Sequence, residues 1–324
     1  MRFSHVFALL SVLVVAPAAA DPQSWALEGW KTDFDKIAVD PGEITTVILR
    51  DQIPSIDDPK FIPAREETDL PDREPVISLE INGNARAYPL RIMMWHEIVN
   101  DAVGDVPVAV TYCPLCNAAI VFDRTIDGKA VEFGTTGKLR NSDLVMYDRD
   151  SQSWWQQFSG NALVGKHTGK TLKMIPSRLD SWGRFKEEFP DGQVLVPNNE
   201  RMRTYWRNPY AAYDSSLKPF LFGGTLPVGI PAMERVIFVR GEMPFAVALP
   251  VLEGEGRIEE GDIVVTWEPG QASALDTTTI ADGREVGNVE VFRMVDGEKR
   301  PIVHDVTFAF VVNAFEPTLA IRTE

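Results

Sequence analysis

Residues 110–131 of this chain match residues 265–286 without a gap, which predicts that the fold uses one strand-and-turn pattern twice. Seven positions of the match are identical. They include a proline and an Asp-Gly pair in each copy: Pro114 and Pro269, Asp127-Gly128 and Asp282-Gly283. The matches keep the order of an apolar strand, a turn with proline, a second strand and an Asp-Gly hairpin signal. We therefore predict two related modules.

Alternating apolar residues predict strands along most of the chain. Residues 75–88 alternate around the turn signal Asn82-Gly83-Asn84, and residues 118–125 and 129–133 flank Asp127-Gly128. Residues 303–312 alternate again in the second half. We expect a mainly β (α+β) fold in which two related β modules carry a few short helices.

Two segments have helical spacing. Pro89 opens the first, which we expect to continue to Asn100, and Asp180 or Ser181 opens the second, which Pro190 stops. With the repeat, these elements predict five parts in the order signal peptide, N-terminal extension, Cys-Pro-Leu-Cys module, bridge and second β module. Their predicted bounds are residues 1–20, 21–74, 75–200, 201–224 and 225–324.

The first twenty residues predict export. They contain Arg2, an apolar run and the small residues Ala18-Ala19-Ala20, which is the pattern of a cleaved signal peptide. The apolar run is too short for a membrane span, and we expect a periplasmic or secreted protein. The net charge of −15 argues against nucleic acid or an anionic membrane as a partner, because both attract basic surfaces.

Cys113 and Cys116 are the only cysteines and lie within the repeat. In the gapless alignment Glu268 and Gln271 stand opposite them, so the second copy keeps the turn without the thiols. A structural disulfide across so short a loop removes little unfolded-state entropy, about 2 kcal/mol. The pair therefore predicts a functional site added to a scaffold.

A metal centre is the first interpretation of the pair. Two thiolates with the imidazole of His96 would suit Cu(I), which predicts copper, for metal handling or a metal-dependent redox step. Zinc is the alternative and would need a fourth ligand, such as His167 or water. The structural alternative is that His96 packs against Trp95 or caps the end of its helix.

Two other interpretations use the same cysteines. The first is a metal-free thiol-disulfide oxidoreductase, although the strand-like sequence after Cys116 does not favour a thioredoxin fold, in which a helix begins at the thiols. The second is a binding or scaffold module with an inert disulfide. The expected partners are accordingly a small molecule, a metal donor or a redox partner.

A second polar cluster follows the cysteines and could form a pocket around them. Its residues are Asp143, Tyr147, Asp148, Arg149 and Trp155. The structural alternative is an ion pair that closes a hairpin, with the tryptophan in the core.

Three motifs in the first half resemble a bacterial exported family known only as domain of unknown function 3179. They are Val110-Thr-Tyr-Cys-Pro-Leu-Cys-Asn117, Phe133-Gly-Thr-Thr-Gly137 and Leu139-Arg-Asn-Ser-Asp-Leu-Val-Met-Tyr-Asp-Arg149. Ser153, Trp155, Gln157 and the upstream His96 also fit the family pattern. The resemblance covers about residues 75–200 and implies the family without an activity.

Overall fold

The computed structural model describes residues 22–324, and the predicted signal peptide lies outside them. The described chain is built mainly from strands, which confirms the predicted mainly β fold. Its five short α-helices, α1 to α5, are Pro22–Leu27, Leu90–His96, Trp182–Glu188, Leu249–Glu255 and Ala309–Phe315. Within residues 22–324, none of them has the length and apolar character that crossing a bilayer requires.

The strands are numbered β1 to β24 in chain order. The first sixteen are Ile44–Thr46, Lys60–Pro63, Pro75–Ile81, Asn84–Pro89, Ile98–Val103, Val106–Cys113, Ala118–Asp123, Thr125–Ile126, Lys129–Ala130, Phe133–Arg140, Asp143–Asp148, Trp154–Gln156, Ala162–Val164, Met174–Ile175, Arg178–Ser181 and Gln193–Val196. The other eight are Arg235–Val239, Phe245–Ala248, Arg257–Glu260, Ile263–Glu268, Asn288–Val295, Glu298–Pro301, His304–Phe308 and Ile321–Arg322. Single 3-10 turns occur at Pro41–Glu43, Ala64–Glu66, Tyr213–Ser215 and Ile280–Asp282.

Three larger sheets and the two-stranded sheet β8-β9 form the first half of the described chain, and the larger sheets have the strand orders β1-β10-β11-β12-β13, β14-β7-β6-β5 and β15-β3-β4-β16-β2. Strands β1 and β2 come from the N-terminal extension, so this segment completes two of the sheets. Two sheets form the second half, in the orders β23-β17-β18-β24 and β19-β20-β21-β22. The largest apolar core contains residues of both halves, including Tyr112 and Phe308.

The same order of elements occurs twice. Elements β3-β4-α2-β5-β6 are followed later by β17-β18-α4-β19-β20. The sheets β15-β3-β4-β16 and β23-β17-β18-β24 also agree, because each ends in a parallel pair next to antiparallel strands. This shared topology agrees with the two-module hypothesis, while the exact bounds of the modules stay a prediction.

The gapless alignment is correct only up to the end of one strand. Tyr112 N donates to Glu97 O in the first half, and Trp267 N donates to Gly256 O in the second, so β6 and β20 correspond. Beyond them β7 begins directly after a short turn, whereas residues 269–287 separate β20 from β21. Asp282 ends a 3-10 turn, so the predicted second Asp-Gly hairpin is wrong. Because β21 begins only at Asn288, Gln271 does not stand opposite Cys116.

One helix prediction and one strand prediction need correction. Helix α3 has the expected start, because Ser181 Oγ accepts a hydrogen bond from Arg184 N. Helix α2 ends at His96 rather than Asn100, because Glu97 adopts a left-handed conformation with φ 57°. The predicted strand at residues 303–312 ends at Phe308 and continues as α5, since a short apolar run fits a buried helix as well as a strand.

Candidate metal centre

The two cysteines lie at either end of a tight turn, the Cys turn, which comprises residues 113–117. Cys113 ends β6 and pairs with Ala118 of β7. Cys116 N donates to Cys113 O at 3.2 Å, and Asn117 adopts φ 50°, a conformation that asparagine tolerates better than most residues. A strand follows the turn, so no helix dipole acts on either thiol as it would in a thioredoxin fold.

Residues far along the chain hold the Cys turn in place. Thr307 Oγ1 donates to Cys116 O at 2.6 Å, and Asn117 Nδ2 donates to Val306 O at 2.8 Å. From the bridge, Tyr213 OH donates to Leu115 O at 3.0 Å. The second half of the chain therefore helps to position the thiols that only the first half carries.

Asp143 is the third member of the cluster. Asn141 and Ser142 have φ 53° and 66° and form a two-residue turn between β10 and β11, which places Asp143 beside the thiols. The Sγ atoms of Cys113 and Cys116 and a carboxylate oxygen of Asp143 lie within 4.8 Å of one another. We call these residues the Cys-Cys-Asp cluster. Both thiols are reduced and almost fully buried, with 2% and 0% of their surface exposed.

Hydrogen bonds to one oxygen orient the Asp143 carboxylate. Its Oδ2 accepts hydrogen bonds from Gln156 Nε2 at 2.6 Å and from Phe158 N at 2.8 Å. Within residues 22–324 no N–H or O–H group donates to its buried Oδ1, and the carboxylate instead has hydrogen-bonding contacts with the Cys113 and Cys116 thiols. Thiols are weak donors, so a buried carboxylate in this position is better compensated by a cation. The donor set therefore fits a metal ion.

Burial controls the electrostatics of the cluster. It raises the pKa of the Cys113 thiol, raises that of Cys116 well above its usual range, and raises the pKa of Asp143 to about 6. Without a metal, both thiols are therefore protonated at neutral pH. A bound cation would favour the deprotonated forms, because thiolates and carboxylates are the forms that bind metals.

Glu97 is a functional candidate that the sequence analysis did not single out. Its side chain is buried, and burial together with the negative charge of Asp143 raises its pKa to about 8. It also adopts the left-handed conformation, which is unfavourable for a residue with a side chain, whereas the corresponding position of the second half is Gly256. Neither the conformation nor the burial of Glu97 can be inferred from the motif Trp95-His96-Glu97.

The structure places His96 outside the cluster. Its Nδ1–H donates to Pro54 O at 2.7 Å, and its Nε2 accepts from Tyr205 OH at 2.8 Å. Burial lowers its pKa, which favours the neutral ring that this pattern requires. The group that completes the cluster is Asp143, and His96 instead ties the N-terminal extension to the bridge.

We expect His96→Ala to reduce stability and to leave metal binding unchanged. The substitution leaves Pro54 O and Tyr205 OH without a partner, which should lower the free energy of unfolding by about 1–3 kcal/mol. Denaturant unfolding and a metal-affinity titration on the same sample measure both quantities. A tenfold weaker affinity with unchanged stability would restore His96 as a ligand.

His167 lies in a different part of the molecule. Its ring packs on Trp155, with 5.8 Å between centroids, and its Nδ1 is 4.0 Å from Asp127 Oδ2. Lys170 also binds Asp127. His167 and Asp127 both line a hollow at the surface that contains several charged side chains. The described structure therefore does not bring His167 to the cysteines as a further ligand.

The rest of the second polar cluster makes structural contacts. Tyr147 OH donates to Asp51 Oδ2 at 2.6 Å, and Trp155 Nε1 donates to the buried Asp148 at 3.0 Å. Arg149 bridges Asp57 and Glu132 at the surface. Of this cluster, only Asp143 lies with the thiols.

Comparisons with known proteins identify the family. The family model described as protein of unknown function (DUF3179) matches residues 50–319, and the chain belongs to this family. The match extends beyond the residues that carried the resemblance and includes both halves. No curated protein and no solved structure matches the chain.

Proposed function

We propose that this member of the DUF3179 family is an exported metalloprotein that binds one ion through Cys113, Cys116 and Asp143. The observation that carries the proposal is the buried group of three ligand atoms, two reduced thiols and a carboxylate oxygen of Asp143 within 4.8 Å of one another. The proposed location adds support, because an unliganded dithiol in an oxidising compartment tends to be oxidised. A bound metal would protect both thiols.

The donor set supports zinc more than copper. Cu(I) prefers thiolates and imidazole, and the ring nitrogens of His96 already have other partners. Zinc accepts thiolates and carboxylates together in a tetrahedral arrangement. Three protein ligands are also the number that catalytic zinc sites provide, whereas structural sites provide four. We therefore rank zinc first, copper second, and expect one coordination position to remain for a ligand.

The metal-free oxidoreductase is less compatible with the site. Thiol-disulfide exchange needs an exposed thiolate, and burial makes both thiols inaccessible and raises their pKa values. The inert-disulfide alternative is not supported, because the cysteines are unpaired in this structure.

Metal content tests the proposal directly. Protein exported to the periplasm and purified without chelators should contain about one zinc or copper ion per chain by elemental analysis. After chelation and reloading with Co²⁺, sulfur-to-cobalt charge-transfer bands should appear in the absorption spectrum. A protein that holds no ion and gives no such bands would refute the metal centre.

We expect Asp143→Asn to weaken zinc binding about 100-fold, because the amide cannot supply the charge of the carboxylate. Asp148→Asn is the matched control, since Asp148 is equally buried at the other end of β11 and contacts Ser151 and Trp155 instead of the thiols. Competition with a chromophoric chelator measures both affinities. Equal affinities for the two variants would exclude Asp143 as a ligand.

A further inference from the structure

A cavity of about 730 Å³ lies beside the Cys-Cys-Asp cluster. One wall contains Leu115 of the Cys turn and Leu144, which follows Asp143. Residues 209–213, 216 and 218–221 of the bridge also line the cavity. This volume and the mainly apolar lining are typical of a site for a small organic molecule.

Several of the exposed residues that line the cavity are apolar, although the exposed Lys218 also lines it. Val47 and Phe220 line it and are 44% and 57% exposed, and Leu221 lies beside them. Single exposed apolar side chains are common on proteins and need no explanation. Here, however, they continue the apolar surface of the cavity to solvent, which is the arrangement expected for a route by which a lipophilic molecule enters.

Three charged residues line the cavity, and only one of them offers a polar group to a ligand on the side of the cluster. Lys138 lines the wall, but its ammonium group binds Glu28 and Thr46. The other lysine of the lining, Lys218, is exposed. Glu97 lines the cavity on the side of the cluster, and its carboxyl group makes no hydrogen bond to another residue within 22–324. A carboxyl group that lines a cavity and has no hydrogen-bond partner in the chain is one that a ligand can satisfy.

We propose that the cavity binds an uncharged lipophilic molecule whose terminal hydroxyl group bonds to Glu97. A hydroxyl group suits this position because it can donate to a carboxylate and can also accept from a protonated carboxyl group. An anionic head group would lose its hydration in the apolar cavity, and the ammonium group of Lys138 is already bound to Glu28. A cationic head group would lose its hydration in an apolar cavity, a cost that ion pairing often fails to recover.

This binding site goes beyond the proposed metal centre and does not require it. The metal centre and the lipophile site can be refuted separately, because metal content and lipophile binding are measured independently on the same protein. Binding of the uncharged dye Nile red to the full-length protein, followed by its fluorescence, is the first measurement. We expect one saturable site, from which 1-decanol displaces the dye at concentrations at least about tenfold lower than decanoate or decylammonium.

Two exposed residues on one segment give a matched pair of variants. Val47→Asp places a charge in the cavity lining and should weaken dye binding at least about tenfold. Leu49→Asp alters a residue that is 61% exposed and outside the lining, and should change the affinity less than about twofold. Ala211→Trp fills the cavity from the bridge without adding charge and should also prevent binding. Circular dichroism of each variant confirms that it is folded.

A variant of Glu97 tests the orientation of the ligand. Glu97→Leu should retain the dye and reduce the preference for decanol over decanoate to less than about threefold. Three results would overturn the proposal: no saturable dye binding, equal weakening by Val47→Asp and Leu49→Asp, or decanoate or decylammonium binding as tightly as decanol. Absence of metal from a protein that still prefers decanol would refute the metal centre alone.

Discussion

Replacing Cys113 and Cys116 together by serine will reduce zinc affinity by about three orders of magnitude or more. A serine hydroxyl is not deprotonated at neutral pH and is a poor ligand for zinc, so only Asp143 would remain of the cluster. The serine side chains are close in volume to the thiols, and the Cys turn keeps its backbone bonds to Thr307 and Tyr213. Chelator competition on the purified variant measures the change.

The second half of the chain supplies the control for this variant. Glu268→Ser with Gln271→Ser alters the residues that the gapless alignment places opposite the cysteines and should leave zinc affinity unchanged. Gln271 bonds to Leu179 O, far from the thiols in sequence, so the control variant can lose some stability without losing metal. Zinc binding that survives in the double-serine variant would locate the metal elsewhere.

Zinc affinity should also depend on pH, because the ligands of the cluster must lose protons before they bind zinc. Zinc must displace a proton from each thiol at pH 8, because burial raises both thiol pKa values. Asp143, with a pKa of about 6, is already ionised at that pH. We expect about two protons to be released per zinc ion at pH 8 and about three below pH 6, measured by calorimetry in buffers of different ionisation enthalpy. Affinity should therefore fall steeply as the pH decreases.

The local sequence was sufficient to predict the elements that depend on neighbouring residues. The hairpin at Asn82-Gly83, the turn that carries the thiols and the start of α3 at Ser181 all follow from turn and capping preferences. The end of α2 did not, because Glu97 adopts a conformation that its residue type disfavours. A tertiary contact selects it: Tyr112 N donates to Glu97 O.

The ligand set shows why the site was predicted only in part. The cysteines are close in sequence, and Asp143 was noted only as a member of a polar cluster. Its distance to the thiols depends on the β10–β11 turn meeting the Cys turn, which is long-range packing. The sequence favours His96 because its helix precedes the strand that leads into Cys113 and could return the imidazole towards the thiols, but its partners Pro54 and Tyr205 lie in segments without any local signal.

The two halves end their corresponding helices with different residues in the same left-handed conformation. Gly256 ends the corresponding helix of the second half with φ 68°, a conformation that costs glycine little. The first half instead places a buried acid at this point, at the expense of backbone strain and desolvation. A position that is both strained and electrostatically unfavourable is typical of a functional site.

Replacing Glu97 by glutamine should stabilise the metal-free protein strongly at alkaline pH. The folded-state pKa of Glu97 is about 8, against 4.5 for the free side chain, so folding favours the protonated form. Its stabilising contribution is fully present below pH 4.5 and is lost as the pH rises through 8. Glutamine remains neutral at every pH, so the variant does not lose this stabilising contribution as the pH rises. The free energy of unfolding of Glu97→Gln relative to the wild type should increase by about 3 kcal/mol between pH 5 and pH 8.

Denaturant unfolding at both pH values, with chelator and reductant present, measures this difference. Titrating groups that do not interact with Glu97 contribute equally to both proteins and cancel in the comparison. Glu253→Gln, an exposed position on α4, should follow the wild type at both pH values. If the free energies of unfolding of Glu97→Gln and the wild type change in parallel with pH, Glu97 titrates normally. Glu97 would then be a solvated acid and not the buried group that a ligand in the cavity could satisfy. A difference that grows with pH would instead show that the fold retains an acid that destabilises it, which is expected where the carboxyl group is kept for binding.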